Sequence, residues 1–218
     1  MANNEQGRIR DPERRERILA AAAGLIAKRG YLGVNLTEIG AAAGIVGSGI
    51  YRHFDTKAAI LVEMFDRVVD LLVDDAESLL RDASRPEATL SDLVRGQVDF
   101  TLGERALCEV YLQELRNLPE QDLTRLRWKQ RHYVDLWQDL LQSAHPELSA
   151  GEAQVRVHAA IASVHSVLKY RAHLTGDDLA DHLHAVACNV LGIRGTATDR
   201  DETEAVVAEG DPDSAEAG

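Results

Sequence analysis

Aromatic residues make up only 5% of this 218-residue sequence, and runs of Val and Ile long enough to form strands are scarce. Ala, Leu, Glu, Arg and Asp are abundant instead, which favours an all-α fold. No apolar stretch reaches the roughly 18 residues that a membrane span needs, so we expect no membrane partner. Hydrophobic residues still make up 45% of the chain, enough for the core of one or two domains.

The sequence also has few residues that carry chemistry. Its two cysteines, Cys108 and Cys188, lie far apart in apolar helical patterns, so we expect two packed thiols in a reducing compartment. The first six residues lack the apolar core of a signal peptide, which predicts a cytoplasmic location. There is no nucleophile elbow, zinc-ligand spacing, phosphate loop or dinucleotide fingerprint. An enzyme is therefore the least favoured class, and no cofactor or metal is expected.

The net charge of −12 argues at first against a nucleic-acid partner, but the charges are unevenly distributed. Up to Lys57 there are nine basic and six acidic residues, so this segment carries +3 and the remainder −15. A basic end on an acidic chain is typical of a soluble protein that binds DNA through that end. Arg14, Arg15 and Arg17 contribute to this charge, and a solvated helix face is the alternative interpretation of that cluster.

The most informative segment is residues 37–57. It reads as a short helix, a glycine turn at Gly44 and a second short helix, which is the outline of a helix-turn-helix. In such a motif the second helix enters the major groove of DNA. Tyr51, Arg52, His53 and Lys57 come at its end, and their hydroxyl, imidazole and cationic groups are types that bind phosphates.

Local signals divide the rest of the chain into helices. Residues 1–10 look like a flexible arm, and Asp11-Pro12 is a typical helix start that Gly30 brings to an end. Residues 35–38 form a capping-box sequence, and Thr56 is placed to cap a long helix. Further helices are predicted over residues 87–102, 104–118, 119–144, 150–174 and 178–191. The acidic tail, residues 195–218, has almost no large apolar residue and is predicted to be disordered.

Residues 14–61 resemble the DNA-binding domain of the TetR (tetracycline repressor) family. The matching residues are Ile18-Leu19-Ala20-Ala21-Ala22, Gly30-Tyr31, Thr37-Glu38-Ile39, Ala43-Gly44-Ile45, Ile50-Tyr51-Arg52-His53-Phe54 and Lys57. The resemblance implies an all-α fold of about nine helices, with a DNA-binding domain over residues 11–56 and a ligand-binding and dimerisation domain over residues 57–194. It also implies a homodimer whose two reading heads dock on successive turns of a near-palindromic operator, about 34–36 Å apart.

The resemblance further implies DNA contacts at eight positions, to the backbone or near base edges. They are Thr37, Gly47, Ser48, Gly49, Tyr51, Arg52, His53 and Lys57. The chain departs from the family pattern at Val46, where a Ser or Thr usually caps the recognition helix, and the missing cap costs about 1 kcal/mol.

Because Gly47 and Gly49 offer no side chains, few groups remain to read bases. Ser48, Thr37, Tyr51 and Arg52 carry the readout, or close backbone approach and DNA shape supply much of it. The alternative is that the two glycines only permit close packing against DNA.

For a ligand, the sequence offers polar residues among apolar neighbours after residue 110. The predicted ligand-binding residues are Tyr111, Glu114, Arg116, Asn117 and Trp137. Aromatic residues at helical spacing also fit an ordinary core, which is the alternative for Trp137 and its neighbours. The segments 111–117 and 133–137 resemble regulators encoded near fatty-acid and acyl-CoA metabolism genes, so an acyl-CoA is the leading candidate among lipophilic effectors.

The resemblance also implies that the last two predicted helices form the dimer interface. The candidate interface residues are Val157, Ile161, Val164, Leu168, Leu183, Val186 and Val190. His158, His165 and His173 lie near one stripe but are too far apart to share a metal ion, so packed or interface histidines are favoured over a sensor.

Together these features predict a ligand-responsive homodimeric repressor. The alternative is a carrier or sensor of small molecules that does not bind an operator.

Overall fold

The computed structural model describes residues 12–81, 84–170 and 173–194, and in these residues it is helical throughout, without strands. The all-α prediction is therefore confirmed. The elements are α1 Pro12–Arg29, α2 Leu36–Ala42, a 3₁₀ helix Gly47–Arg52, α3 Lys57–Leu80, α4 Pro86–Gly103, α5 Arg105–Glu114, a 3₁₀ turn Leu115–Asn117, α6 Glu120–Ala144, α7 Ala150–His165, a 3₁₀ turn Ser166–Lys169 and α8 Gly176–Leu191. The predicted arm and acidic tail lie outside the described residues.

Several predicted boundaries have the expected local causes. Helix α1 ends before Gly30, which has a φ of 72°, a value that glycine adopts without strain. Helix α2 begins with the predicted capping box, because the Asn35 side chain accepts from the Glu38 amide and the Glu38 carboxylate accepts from the Asn35 amide. The Thr56 side chain accepts from the amide of Ala59 and caps α3.

Two predicted helices are shorter than expected. The helix predicted over residues 104–118 ends at Glu114 and tightens into the 3₁₀ turn. The helix predicted over residues 150–174 ends at His165 and is followed by a second 3₁₀ turn. In both places the helical periodicity of the sequence continues into a turn of similar period, so periodicity alone does not mark the end.

The described residues form two apolar cores. One lies in the body, residues 57–194, among α4, α6, α7 and α8, with Trp137 fully buried within it. The other lies in the head, residues 12–56, and continues into the body through the first half of α3 and through Val110, Leu118 and Leu126. Because α1 packs directly on α5, the head is attached to the body by more than the α3 connection. Within the described residues, no helix combines the length and apolar character needed to cross a membrane.

Candidate DNA-binding and ligand-binding sites

The helix-turn-helix is held together by a close approach between its two helices. Gly40 in α2 lies against Ile50 of the 3₁₀ helix, and a Cβ at Gly40 would stand 3.0 Å from the Ile50 Cβ. Gly44, in the turn, has a φ of 73°, in the left-handed region that favours glycine. Ile50 is fully buried, so it anchors the second helix while neighbouring side chains face solvent.

The second helix of the motif is a 3₁₀ helix with glycines that the motif itself requires. Gly47 has a φ of 59°, and a Cβ at Gly49 would lie only 2.7 Å from the Ile45 Cγ2. Both glycines therefore have a reason internal to the fold, besides any approach to DNA. As predicted, the Val46 side chain provides no cap, and it is 93% exposed.

The predicted DNA-contacting side chains form an exposed face around this 3₁₀ helix. Thr37, Ser48, Tyr51 and Arg52 are exposed, and Tyr51 retains 52% of its accessible surface. His53 is half-buried, and its carbonyl accepts from Arg15 Nη1 at 3.0 Å. These side chains are available to a duplex, and their contacts with DNA stay a prediction.

Arg15 fixes the end of the recognition helix, a role that the charge pattern did not reveal. Its guanidinium forms an ion pair with Glu63 of α3 and lies 4.2 Å from the centre of the Phe54 ring. The Glu63 hydrogen bond raises the pKa of Arg15, whereas burial acts in the opposite direction. Arg15 thus joins α1, the end of the 3₁₀ helix and α3.

Lys57 is the one predicted DNA contact whose charged group is already bonded inside the protein. Its ammonium donates to the carbonyl of Val34 at 2.6 Å and to that of Tyr31, and it lies 4.1 Å from the centre of the Tyr31 ring. The sequence predicted a phosphate contact and missed this bond to the loop between α1 and α2. Two of the three ammonium donors are used here, which leaves one for a phosphate.

A partly open cavity of about 120 Å³ lies among α3, α4, α5, α6 and α7. Its lining side chains are apolar or uncharged polar. They are Val68, Val69, Leu72, Gln97, Phe100, Cys108, Tyr111, Leu112, Gln130, Tyr133, Val134, Ile161 and His165. This arrangement, apolar walls with a few convergent polar groups, is typical of small-molecule sites.

Only one of the five predicted ligand-binding residues, Tyr111, lines this cavity. Trp137 is fully buried in the body core and packs edge-on against Tyr133, so it is a core residue, the alternative that the sequence left open. Arg116 is exposed. Glu114 and Asn117 hydrogen-bond to each other beside α1 instead of facing the cavity.

Glu114 has a partner that no local sequence signal indicates. Its carboxylate accepts from the backbone amide of Tyr31 at 3.0 Å, although the two residues are 83 positions apart. Glu114 is buried, so this hydrogen bond is protected from water. The same α5 helix that presents Tyr111 to the cavity therefore holds the head one turn later.

The polar wall of the cavity is centred on Gln97, which the sequence analysis missed. Its amide oxygen accepts from the Tyr133 hydroxyl at 2.9 Å, and its amide nitrogen donates to the Thr101 hydroxyl at 3.1 Å. His165 Nε2 lies 3.4 Å from the same nitrogen. Burial, and to a lesser degree Lys169, lowers the pKa of His165, so this imidazole is neutral near pH 7. Within residues 12–81, 84–170 and 173–194, no cluster of His, Cys, Asp and Glu is arranged to hold a metal ion.

The apolar residues exposed on α7 and α8 are mostly not the residues predicted for the dimer interface. Val157, Val164 and Leu183 are buried inside the protomer, and Ile161 lines the cavity. The exposed apolar side chains instead form what we call the outer stripe: Val155, Ala159, Ala162, Ala185 and Val186. The prediction failed for most of its residues because the largest apolar side chains of these helices face their own core.

Two family models match the chain over well over half its length. One, described as bacterial regulatory proteins of the tetR family, matches residues 18–64, and one described as tetracyclin repressor-like, C-terminal domain, matches residues 83–190. The chain belongs to the TetR family. The first match covers the helix-turn-helix of this TetR-family protein. The second covers α4 to α7, which form most of the cavity wall, and nearly all of α8.

Curated relatives of this TetR-family protein are transcriptional regulators. The HTH-type transcriptional repressor KstR2 of Mycolicibacterium smegmatis is 28% identical over 132 residues, which are 59% of this chain and 63% of that protein. The HTH-type transcriptional activator FasR of the same organism is 31% identical over 98 residues, 45% of each protein. These alignments span less than two thirds of either relative.

Solved structures share the fold. AibR in complex with isovaleryl coenzyme A and operator DNA superposes with a TM-score of 0.68 and 23% identity, covering 79% of this chain and 97% of that one. At this identity the likeness establishes the architecture of a helix-turn-helix head on a helical body, and no more.

Proposed function

We propose that this TetR-family protein is a homodimeric, ligand-responsive transcriptional repressor that binds a near-palindromic operator and releases it when a small, largely apolar ligand enters the cavity. The observation that carries the proposal is the double role of α5. Tyr111 lines the cavity, and Glu114, one turn later, holds the Tyr31 amide of the head. Cavity and DNA-binding face are therefore joined through one short helix.

The switch follows from this connection and from α3. A ligand that favours one position of α5 shifts the Glu114–Tyr31 contact, and Lys57 bonds to the same loop from the start of α3. Both helices line the cavity, so ligand binding changes the orientation of the head. A ligand that weakens operator affinity a hundredfold must bind the DNA-free form about 2.7 kcal/mol more tightly.

Dimerisation through the outer stripe completes the proposal. The stripe exposes small and medium apolar side chains on α7 and α8, with Val155 at 68% and Val186 at 47% exposure. Small side chains let two helix pairs approach closely, as in a four-helix bundle. Two tethered heads then bind one operator with an affinity that neither head reaches alone.

The ligand class is supported by two observations. The cavity wall is apolar with few polar groups, which favours a lipophilic molecule. The structural neighbour AibR is described with isovaleryl coenzyme A, which keeps an acyl-CoA among the candidates, along with other lipophilic ligands. Relatives include both a repressor and an activator, and we favour repression because KstR2 aligns over the longer stretch.

Operator binding is tested by selecting duplexes from a random library with the full-length protein. We expect an enriched inverted repeat whose half-sites are about 10 base pairs apart, or a multiple of that turn. A Tyr51→Phe, Arg52→Ala double variant should enrich nothing, whereas Gln113→Glu on α5 is the control. Failure of the wild-type protein to enrich any sequence would favour the alternative function, a small-molecule carrier or sensor without an operator.

A further inference from the structure

In the part of the chain that the structure describes, no residue with a charged side chain lines the cavity. All 13 lining residues are apolar or uncharged polar, and the only titratable ones are cysteine, tyrosine and histidine. A carboxylate, phosphate or ammonium that entered would lose its water without meeting an opposite charge, which is strongly unfavourable. The cavity itself therefore discriminates against the charged part of any ligand.

Most polar groups of the wall already satisfy one another. Gln97 accepts from Tyr133 and donates to Thr101, and the Thr101 hydroxyl donates to the Gln97 carbonyl at 2.7 Å. These bonds hold the Gln97 amide in one orientation and occupy the hydroxyl proton of Tyr133. A ligand that relied on these groups would have to break buried hydrogen bonds, which costs more than it gains.

The Tyr111 hydroxyl is placed differently. It accepts a hydrogen bond from the Gln130 amide nitrogen, which leaves its own proton for another acceptor. Among the residues that the structure describes, no acceptor for this proton is found. Burial raises the pKa of Tyr111 well above its usual value, so the hydroxyl stays protonated. Tyr111 is thus an oriented, neutral donor at the cavity surface.

Cys108 lines the same wall one helical turn earlier on α5. Burial raises the pKa of its thiol to about 12, with smaller contributions from Glu104 and Glu109, so it remains a weak S–H donor. Neighbouring apolar side chains, including Phe100 and Leu112, surround this pair. The donors at this end of the cavity are therefore neutral and sit within an apolar lining.

We propose that the cavity selects an apolar molecule whose one buried polar group is an uncharged hydrogen-bond acceptor, such as a ketone, ester or thioester carbonyl, and that the Tyr111 hydroxyl donates to it. The proposal rests on the proposed function only in taking this cavity as the effector site. Such a carbonyl has two sources: a free lipophilic molecule, or an acyl thioester whose charged nucleotide stays outside the cavity.

The test compares eight-carbon probes on the full-length protein, with binding followed by thermal stabilisation and calorimetry, without DNA. Octan-2-one should bind at least about tenfold more tightly than octanoate at pH 8, because the carboxylate meets no cation. If octanoyl-CoA binds as tightly as the ketone, the natural ligand is an acyl thioester. If the ketone binds and octanoyl-CoA does not, the natural ligand is a free lipophilic molecule. Octanoate binding as tightly as the ketone, or no probe binding, would overturn the proposal.

Tyr111→Phe isolates the hydroxyl without removing the ring. It should weaken octan-2-one about two- to tenfold, the range of one buried hydrogen bond. Tyr170→Phe removes an exposed hydroxyl outside the cavity and should leave the affinity unchanged. Equal ketone affinity in Tyr111→Phe and the wild type would refute the role of this donor. Because no DNA is present, these outcomes are independent of whether the protein binds an operator.

A second, independent inference concerns Val46. Its side chain is 93% exposed, and Val46 is the residue directly before the 3₁₀ helix. The first three residues of that helix, Gly47, Ser48 and Gly49, include only one with a side chain beyond hydrogen. A Val there gives up the usual helix cap and leaves an apolar group on the DNA-facing surface. The apolar group that the major groove displays is the thymine C5-methyl.

We infer that Val46 packs against a thymine methyl and so helps to set operator sequence, an inference that rests on the proposed operator binding. The test uses a duplex enriched by the full-length protein, with each thymine replaced in turn by deoxyuridine, which lacks only that methyl. Replacing one symmetry-related pair of thymines should reduce the affinity of the wild-type protein about fourfold per half-site, the equivalent of one buried methyl group. Val46→Ala, which removes two of the side chain's three carbons, should bind the two duplexes with a smaller difference in affinity. Lys28→Ala, at an exposed position of α1, should keep the full difference.

Three results would overturn this contact. They are the absence of any sensitive thymine, an undiminished difference in Val46→Ala, and a library from which nothing is enriched. The last would also remove operator binding, whereas the first two leave it intact.

Discussion

At the scale of single residues, Lys57 has a structural role that the sequence did not indicate. The sequence predicts a phosphate contact for Lys57, and in the structure its ammonium donates to the Tyr31 and Val34 carbonyls. Replacing Lys57 with Ala removes two charge-assisted hydrogen bonds, so we expect the free energy of unfolding to fall by about 1–3 kcal/mol. Thermal unfolding of the DNA-free protein measures this.

The same variant separates the structural role from a phosphate contact. If Lys57 also meets a phosphate, the slope of log affinity against log salt changes by about one per head. Lys28→Ala, at an exposed position of α1, serves as the control for lost charge. Unchanged stability in Lys57→Ala would contradict the bonds to the loop.

Residue-level signals that act locally could be read from the sequence. The Asn35–Glu38 capping box, the Thr56 cap and the missing cap at Val46 were all predicted, because each depends on neighbours within four positions. The cavity wall could not be predicted in this way. Gln97 and His165 meet only because α4 and α7 cross the same space, and Glu114 finds Tyr31 across 83 positions.

At the scale of elements, α5 connects the cavity with the head. Glu114→Ala removes the acceptor for the Tyr31 amide, whereas Glu114→Gln retains an oxygen in the same place. We expect Glu114→Ala to bind cavity ligands with little change but to lose most of the factor by which a ligand lowers operator affinity. Glu114→Gln should keep that factor. Anisotropy titrations of an enriched operator, with and without ligand, measure this factor. An undiminished factor in Glu114→Ala would contradict coupling through the Glu114–Tyr31 contact.

The outer stripe of α7 and α8 makes a second prediction for elements. Ala159→Glu places a charge in its centre, and a charge buried between protomers without a partner is costly. We expect a monomer by light scattering at micromolar concentration and a weakened operator complex. Gln113→Glu adds the same charge on α5, outside the stripe, and should remain dimeric. A wild-type monomer, or an Ala159→Glu dimer of undiminished stability, would rule out this interface.

At the scale of the whole molecule, helical content and order followed from composition and periodicity, whereas the connection between domains did not. The head core continues into the body through the first half of α3 and through Val110, Leu118 and Leu126, so packing is continuous across the boundary expected at residue 57. A head seated this firmly cannot turn without moving α5 or α3. That continuity is the physical basis of the switch that we propose.

The measurement that tests the switch most directly is reciprocal linkage on the full-length protein. A compound that stabilises the DNA-free protein is titrated into the operator complex, and the operator is titrated into the protein with and without that compound. The ligand should lower the affinity for the operator, and the operator should lower the affinity for the ligand, by the same factor. This factor should correspond to a coupling free energy of about 1–3 kcal/mol. A ligand that binds the cavity and leaves operator affinity unchanged would contradict the switch and favour a carrier.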